Sequence, residues 1–127
     1  MNSAIDLAKE SFDLNEVPVG AVIVKDGNII GKGRNSVIAN NDVSSHAEIN
    51  AIRSASQHVN NYRLNECSIF VTLEPCHMCS GALFWSKIGQ LVYGASDQKN
   101  GFSVKEEQLL HPKTIITIPI GGKRPGR

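Results

Sequence analysis

The sequence lacks a long apolar segment and an excess of charge of either sign, and it has few cysteines. No apolar run approaches the roughly 20 residues that a helix needs to cross a bilayer, and the polar N-terminus is not typical of a signal peptide. The formal net charge of +1 gives no global electrostatic reason to expect a nucleic-acid partner. Three cysteines, an odd number, argue against a disulfide framework and favour a reducing compartment. We therefore expect a cytoplasmic protein with no membrane segment.

The chain is long enough for one domain with a buried core. Its 127 residues are 41% hydrophobic and 20% charged, which is ordinary for a globular protein. The sequence contains no internal repeat, linker or low-complexity segment. Lys123, Arg124 and Arg127 lie among Gly and Pro residues near the end, a pattern typical of a solvated tail. We expect a single domain over residues 1–120 and a basic tail over residues 121–127.

Helical and strand patterns alternate along the chain, which indicates an α/β layered domain. The predicted helices cover residues 2–14, 46–57, 75–86 and 104–110. The predicted strands cover residues 19–24, 29–35, 68–73, 88–93 and 114–118. Asp26 and Gly27 predict a hairpin turn between the first two strands, and we expect parallel pairing after that hairpin.

Two helix starts have recognisable local signals. Ser45 followed by Glu48 resembles a capping box, and the helix that begins there is expected to turn Ile49 and Ile52 inward. Pro75 is favoured as the first residue of the following helix. Residues 40–42 are polar and predict a loop.

The most informative motif joins His46 and Glu48 to Pro75, Cys76 and Cys79. Cys76 and Cys79 are three residues apart on one predicted helix, so their side chains share a face. One imidazole and two thiolates make three ligands for a tetrahedral zinc ion and leave the fourth position open, as in catalytic zinc sites. An H-x-E triplet followed by P-C-x-x-C is the signature of zinc-dependent nucleobase deaminases.

Each part of this motif also has a simpler interpretation. Glu48 could be only a capping glutamate, and the cysteine pair could belong to a redox motif or to a structural zinc site. A closed structural site needs a fourth ligand, for which His77 and Cys67 are poor candidates: His77 faces about 100° away from Cys76 on a helix, and Cys67 precedes a strand. The pattern therefore favours an open site in which Glu48 moves protons.

Several segments resemble the bacterial tRNA adenosine deaminases, members of the cytidine deaminase superfamily. The resemblance covers roughly residues 1–111 and rests on EVPVGAV at 16–22, HAE at 46–48, NYRL at 61–64, VTLEPCHMCSGA at 71–82 and GASDQK at 94–99. It implies a three-layer α/β/α fold of the cytidine deaminase type, with a central mixed sheet of about five strands. It also implies zinc-dependent hydrolytic deamination of adenosine to inosine at the wobble position of tRNA anticodons.

The resemblance further implies a role for each matching residue. One zinc ion per subunit would be held by His46, Cys76 and Cys79, and Glu48 would be the general acid and base. The implied substrate contacts are Asn35 at the target nucleotide, Pro18 and Val19 on the wall of the base pocket, the Ala47 backbone at the base edge, and Asp97 at the neighbouring RNA. The implied partners are a tRNA anticodon stem-loop and a second copy of the chain in a homodimer.

The sequence departs from the family at two places. Arg34 stands where the family often has an aromatic residue. The Gly and Pro residues of 121–127 oppose the family's C-terminal helix, which we therefore expect to be missing or altered. Two other functions remain open: deamination of a free base or nucleotide such as guanine, cytidine or deoxycytidylate, and a non-catalytic zinc-binding subunit.

Overall fold

A computed structural model describes residues 1–95 and the backbone of residues 116–119. The helices are α1 (Asn2–Asp13), α2 (Val37–Asn40), α3 (Ala47–Val59) and α4 (His77–Trp85). The strands are β1 (Gly20–Lys25), β2 (Asn28–Arg34), β3 (Ser68–Leu73), β4 (Gln90–Ala95) and β5 (Ile116–Pro119). The predicted helix over 104–110, the tail over 121–127 and Asp97 lie outside the described residues. None of the helices within residues 1–95 is long and apolar enough to cross a membrane.

The strands form one mixed sheet in the order β2-β1-β3-β4-β5. The predicted parallel pairing after the hairpin is correct only for β3 and β4, because β1 pairs antiparallel with β3 and β4 pairs antiparallel with β5. The hairpin reverses β2 relative to β1, and the chain then passes through α3 to β3, which lies on the far side of β1. This crossover makes β3 run in the direction of β2, and therefore opposite to β1.

Helices cover both faces of the sheet, as the predicted three-layer fold requires. A β-carbon on Gly20 of β1 would lie 2.6 Å from the Ala8 backbone nitrogen in α1. A β-carbon on Gly33 of β2 would lie 2.2 Å from the Ala47 carbonyl oxygen in α3. Gly33 pairs with Ala21, the residue after Gly20, so the two glycines face opposite sides of the sheet. Helices α1 and α3 therefore pack on opposite faces.

Helix α3 packs against the sheet mainly through alanines, and the prediction that Ile49 and Ile52 point inward is confirmed for Ile52 only. Both isoleucines are half-buried, and only Ile52 packs against the main core. The fully buried residues on this face of the helix are Ala47, Ala51 and Ala55. Strand β2 places Gly31 and Gly33 directly beneath the helix, and the backbones approach so closely that the strand side has no room for a β-carbon. The helix side of the interface carries only the methyl groups of its alanines.

The two predicted helix-start signals are also wrong in detail. Helix α3 has His46 as its N-cap residue, and α4 has Cys76, so Pro75 lies just before the helix instead of in its first turn. Neither N-cap side chain bonds to its own helix within the described part of the chain. The Ser45 hydroxyl bonds to other side chains instead of capping α3. The predicted loop over 40–42 begins inside the one-turn helix α2.

Candidate metal centre and active site

The sheet brings the two parts of the His-Cys motif to one edge. The start of β1 pairs with the end of β2, and Ala21 near that start also pairs with Val71 near the end of β3. The segments after β2 and β3 therefore leave the sheet at the same edge. These segments lead into α3 and α4, whose N-cap residues are His46 and Cys76.

His46, Cys76 and Cys79 form one compact group, as predicted. The Nδ1 atom of His46 lies 3.4 Å from the Cys79 Sγ atom and 3.8 Å from the Cys76 Sγ atom. All three candidate ligand atoms lie within 4.8 Å of one another. His77 is exposed, and neither it nor the buried Cys67 belongs to the group. Among the described residues, the group therefore has three protein ligands and not four.

These distances fit a zinc ion. Tetrahedral zinc with bonds of about 2.0 Å to nitrogen and about 2.3 Å to sulfur separates the two ligand atoms by about 3.5 Å. The observed nitrogen-to-sulfur distances of 3.4 and 3.8 Å lie on either side of that value. One imidazole with two thiolates also suits zinc chemically, since oxygen-preferring cations such as magnesium avoid sulfur ligands.

The environment of the Cys79 thiol disfavours its ionisation when no cation is bound. Burial raises its pKa above the ordinary value, and the neighbouring Glu48 and Cys76 raise it further. A bound divalent cation reverses this tendency, because a coordinating thiol loses its proton. The position of Cys79 in the first turn of α4 also favours the thiolate, since the backbone N–H groups there carry partial positive charge.

Glu48 lies beside the metal ligands and is almost fully buried, with 4% of its surface exposed. Burial raises its pKa to about 7, although hydrogen bonds from its own backbone N–H and from the Cys79 thiol act in the opposite direction. A carboxyl group with a pKa near neutrality can both accept and release a proton at physiological pH. The geometry thus gives Glu48 a chemical property that a capping glutamate does not need.

Four of the five substrate residues implied by the resemblance lie at this edge of the sheet. Asn35 follows β2 and is buried; its backbone N–H donates to the Val19 carbonyl over 3.0 Å. Val19 is also buried, whereas Pro18 beside it is exposed. Ala47 is the first residue of α3 and fully buried. The fifth, Asp97, lies outside the described residues.

Two polar residues near the site, which bond to the backbone of the neighbouring segments, were not predicted from the sequence. Glu16 is buried and its carboxylate accepts two backbone hydrogen bonds from α2. Asn50 lies on α3 and donates to two backbone carbonyls. Both residues make contacts with residues at least 16 positions away in the chain, and no local pattern predicts such contacts.

Comparisons with known proteins agree with this site. Residues 1–95 match the family described as the cytidine and deoxycytidylate deaminase zinc-binding region. The chain is 50% identical over 102 residues to the tRNA-specific adenosine deaminase of Haemophilus influenzae, and the match covers 80% of this chain. The chain spans 59% of the length of that relative.

Two solved structures show the same fold. One comes from a study of A-to-I editing by tRNA:A34 deaminases at the wobble position of transfer RNA; it has a TM-score of 0.78 and 42% identity, and covers 80% of this chain and 73% of its own. The other is guanine deaminase from Bacillus subtilis, with a TM-score of 0.72 and 42% identity, covering 75% of this chain and 61% of its own. Together with the family match, these similarities confirm the resemblance drawn from the sequence motifs.

Proposed function

The chain belongs to the cytidine and deoxycytidylate deaminase zinc-binding family, and we propose that it converts adenosine to inosine at the wobble position of tRNA anticodons. The observation that carries this proposal is the buried Glu48 beside a three-ligand metal group. Such a group with an adjacent proton carrier suits hydrolysis. The proposal that the substrate is a tRNA is supported by the similarity to the tRNA-specific adenosine deaminase and to the tRNA:A34 deaminase structure.

The proposed reaction uses one water molecule and releases ammonia. His46, Cys76 and Cys79 hold zinc, which when bound supplies a Lewis acid that makes water a nucleophile at neutral pH. Glu48 accepts a proton from the attacking water and delivers it to N1 of adenine while the water oxygen bonds to C6. Glu48 then carries the second proton to the amino group, the C6–N6 bond breaks, and ammonia leaves.

The described residues proposed to contact the substrate lie at the edge of the sheet that carries Asn35 and Val19, and the target base is proposed to bind there. Asn35 contacts the target nucleotide, Val19 and Pro18 wall the base pocket, the Ala47 backbone reads the base edge, and Asp97 contacts the neighbouring RNA. A base must leave its stack to enter such a pocket, and an anticodon loop is already single-stranded. The proposal also implies a cytoplasmic location, which the three free cysteines support.

The substrate can be tested by comparing an anticodon stem-loop with free compounds. We expect the zinc-loaded protein to form inosine in a stem-loop with adenosine at the wobble position, and not in a matched stem-loop with that adenosine moved into the stem. Guanine, cytidine and deoxycytidylate are assayed in parallel by ammonia release. Turnover of a free compound without inosine in the RNA would favour the alternative function, which the 42% identity to guanine deaminase keeps open.

We also propose that the protein acts as a homodimer that forms through an exposed surface on and beside α4. This α4 surface consists of Met78, Phe84, Trp85 and Lys87. Trp85 is 70% exposed, and the Lys87 ammonium lies 5.6 Å from its ring centroid and 5.3 Å from that of Phe84. Aromatic residues and methionine are enriched where proteins meet, and tryptophan often dominates the binding energy.

Replacing Trp85 by glutamate is expected to convert the dimer into a monomer, because it places a charge where the tryptophan ring would be buried. The mass in solution is measured by light scattering over a range of concentrations. The matched control is Phe12→Glu, which changes a 67% exposed aromatic residue on α1 in the same way and should leave the dimer intact. A wild-type protein that is monomeric at all concentrations would refute the homodimer.

A further inference from the structure

The segment from Asn35 to His46 connects the proposed substrate contact to the metal ligand. Helix α2 lies within this segment, and none of its four residues, all of them described, is buried. Val37 is half-buried and the other three are exposed, so burial of apolar side chains contributes little to holding α2 in place. Hydrogen bonds to the segment are therefore a main source of its position.

Glu16 provides the first of these attachments. Its carboxylate accepts hydrogen bonds from the backbone N–H groups of Ile38, over 3.1 Å, and Ala39, over 2.8 Å. These N–H groups belong to the first turn of α2, where the helix offers them no backbone partner. Only 6% of the surface of Glu16 is exposed, so water screens these bonds little. A charged acceptor with two donors is a strong and directional attachment.

Asn50 provides the second attachment, at the other end of the segment. Its Nδ2 atom donates to the Arg34 carbonyl over 2.8 Å and to the Ser45 carbonyl over 3.3 Å. Its Oδ1 atom accepts from the Ser45 hydroxyl over 3.2 Å. Arg34 immediately precedes Asn35, and Ser45 immediately precedes His46. One side chain therefore joins both ends of the segment.

We propose that Asn50 and Glu16 are positioning residues for the metal ligand His46. The two side chains fix the segment against β2 and α3, and so determine where the His46 ring lies relative to Cys76 and Cys79. Neither side chain is a metal ligand, and they act through the backbone. The proposal rests on the zinc site of the proposed function, but not on the identity of the substrate.

The test measures the zinc affinity of Asn50→Ala and Glu16→Gln by competition with a chromophoric chelator. Partners that orient metal ligands typically change metal affinity by about 10- to 100-fold when removed, so we expect weakening of about tenfold in each variant. Substituting cobalt(II) for zinc adds a spectroscopic readout, and the visible bands should shift as the His46 position loosens. The controls are Gln57→Ala, an exposed amide on α3, and Glu66→Gln, an exposed glutamate. Both should match the wild type.

Thermal unfolding of the metal-free proteins separates positioning from general support of the fold. The proposal would be overturned if Asn50→Ala and Glu16→Gln melted at lower temperatures but kept the wild-type zinc affinity and cobalt spectrum. It would also be overturned if both variants equalled the wild type in melting temperature, zinc affinity and cobalt spectrum. If Glu16→Gln does not fold, Asn50→Ala decides alone, because alanine is favoured over asparagine within a helix. A wild-type protein that binds no zinc would instead refute the metal site itself.

Discussion

Replacing Glu48 by glutamine is expected to lower kcat for the anticodon stem-loop by about 100- to 10,000-fold, the range that proton transfer by a positioned side chain contributes. Glutamine keeps the size of the side chain and much of its polarity, but it cannot accept a proton. The reaction needs two proton transfers, from water to N1 and then to the leaving amino group. Single-turnover measurement of inosine formation at saturating RNA tests this directly.

Zinc content distinguishes this role from a structural one. Glu48 is not among the three grouped ligands, so the glutamine variant should bind zinc as the wild type does. Its KM for the stem-loop should change little, because the lost interaction belongs to the transition state. Near-normal turnover with full zinc occupancy would show that Glu48 is not the proton carrier.

Replacing Cys79 by alanine is expected to remove bound zinc, and with it all measurable deamination. Two ligands remain, and the site loses the buried thiolate nearest to the His46 ring. Zinc stabilises the wild-type fold because it binds the native state, by about 4 kcal/mol when free zinc is about 1,000 times its Kd. The variant should therefore lose both the metal and the rise in melting temperature that zinc produces in the wild type.

Cys67→Ala is the matched control for this change. Cys67 is also buried, but its thiol bonds to the Asn65 carbonyl and lies outside the metal group. The control should lose some packing and keep its zinc, whereas Cys79→Ala should lose the zinc. Zinc stoichiometry by elemental analysis and melting curves with and without chelator measure both effects. Zinc retained by Cys79→Ala would mean that the ligand set is wrong.

The sequence predicted the order and type of most elements, because the informative signals were local. The hairpin at Asp26 and Gly27, the apolar strands and the long helices all follow from spacing within short windows. The pairing direction of β1 with β3 could not be predicted in this way. It depends on which neighbour β3 joins after the crossover, and this choice is made by the packing of α3 over β2 and β1.

The metal group was predictable because its chemistry restricts the residue types. Few residue types other than histidine and cysteine supply the nitrogen and sulfur ligands that zinc prefers, and the acid two residues after the histidine completed a known signature. The capping interpretation of Ser45 failed because His46 occupies the N-cap position instead. The attachments made by Glu16 and Asn50 were not predictable, because hydrogen bonds to the backbone of other elements leave no periodic pattern in the sequence.

The close contact between β2 and α3 sets the distance between Glu48, the proposed proton carrier, and Asn35, the proposed substrate contact. Glu48 is the second residue of α3 and Asn35 follows β2, and between them Gly33 lies directly against the Ala47 backbone. No side chain separates the two elements there, so changes of rotamer cannot alter their spacing. An added methyl group at Gly33 would act as a spacer, and a displacement of about 1 Å in a catalytic geometry can slow a reaction about 100-fold. We therefore expect the rate of the proposed deamination to depend on Gly33, a position where the chain has no side chain at all.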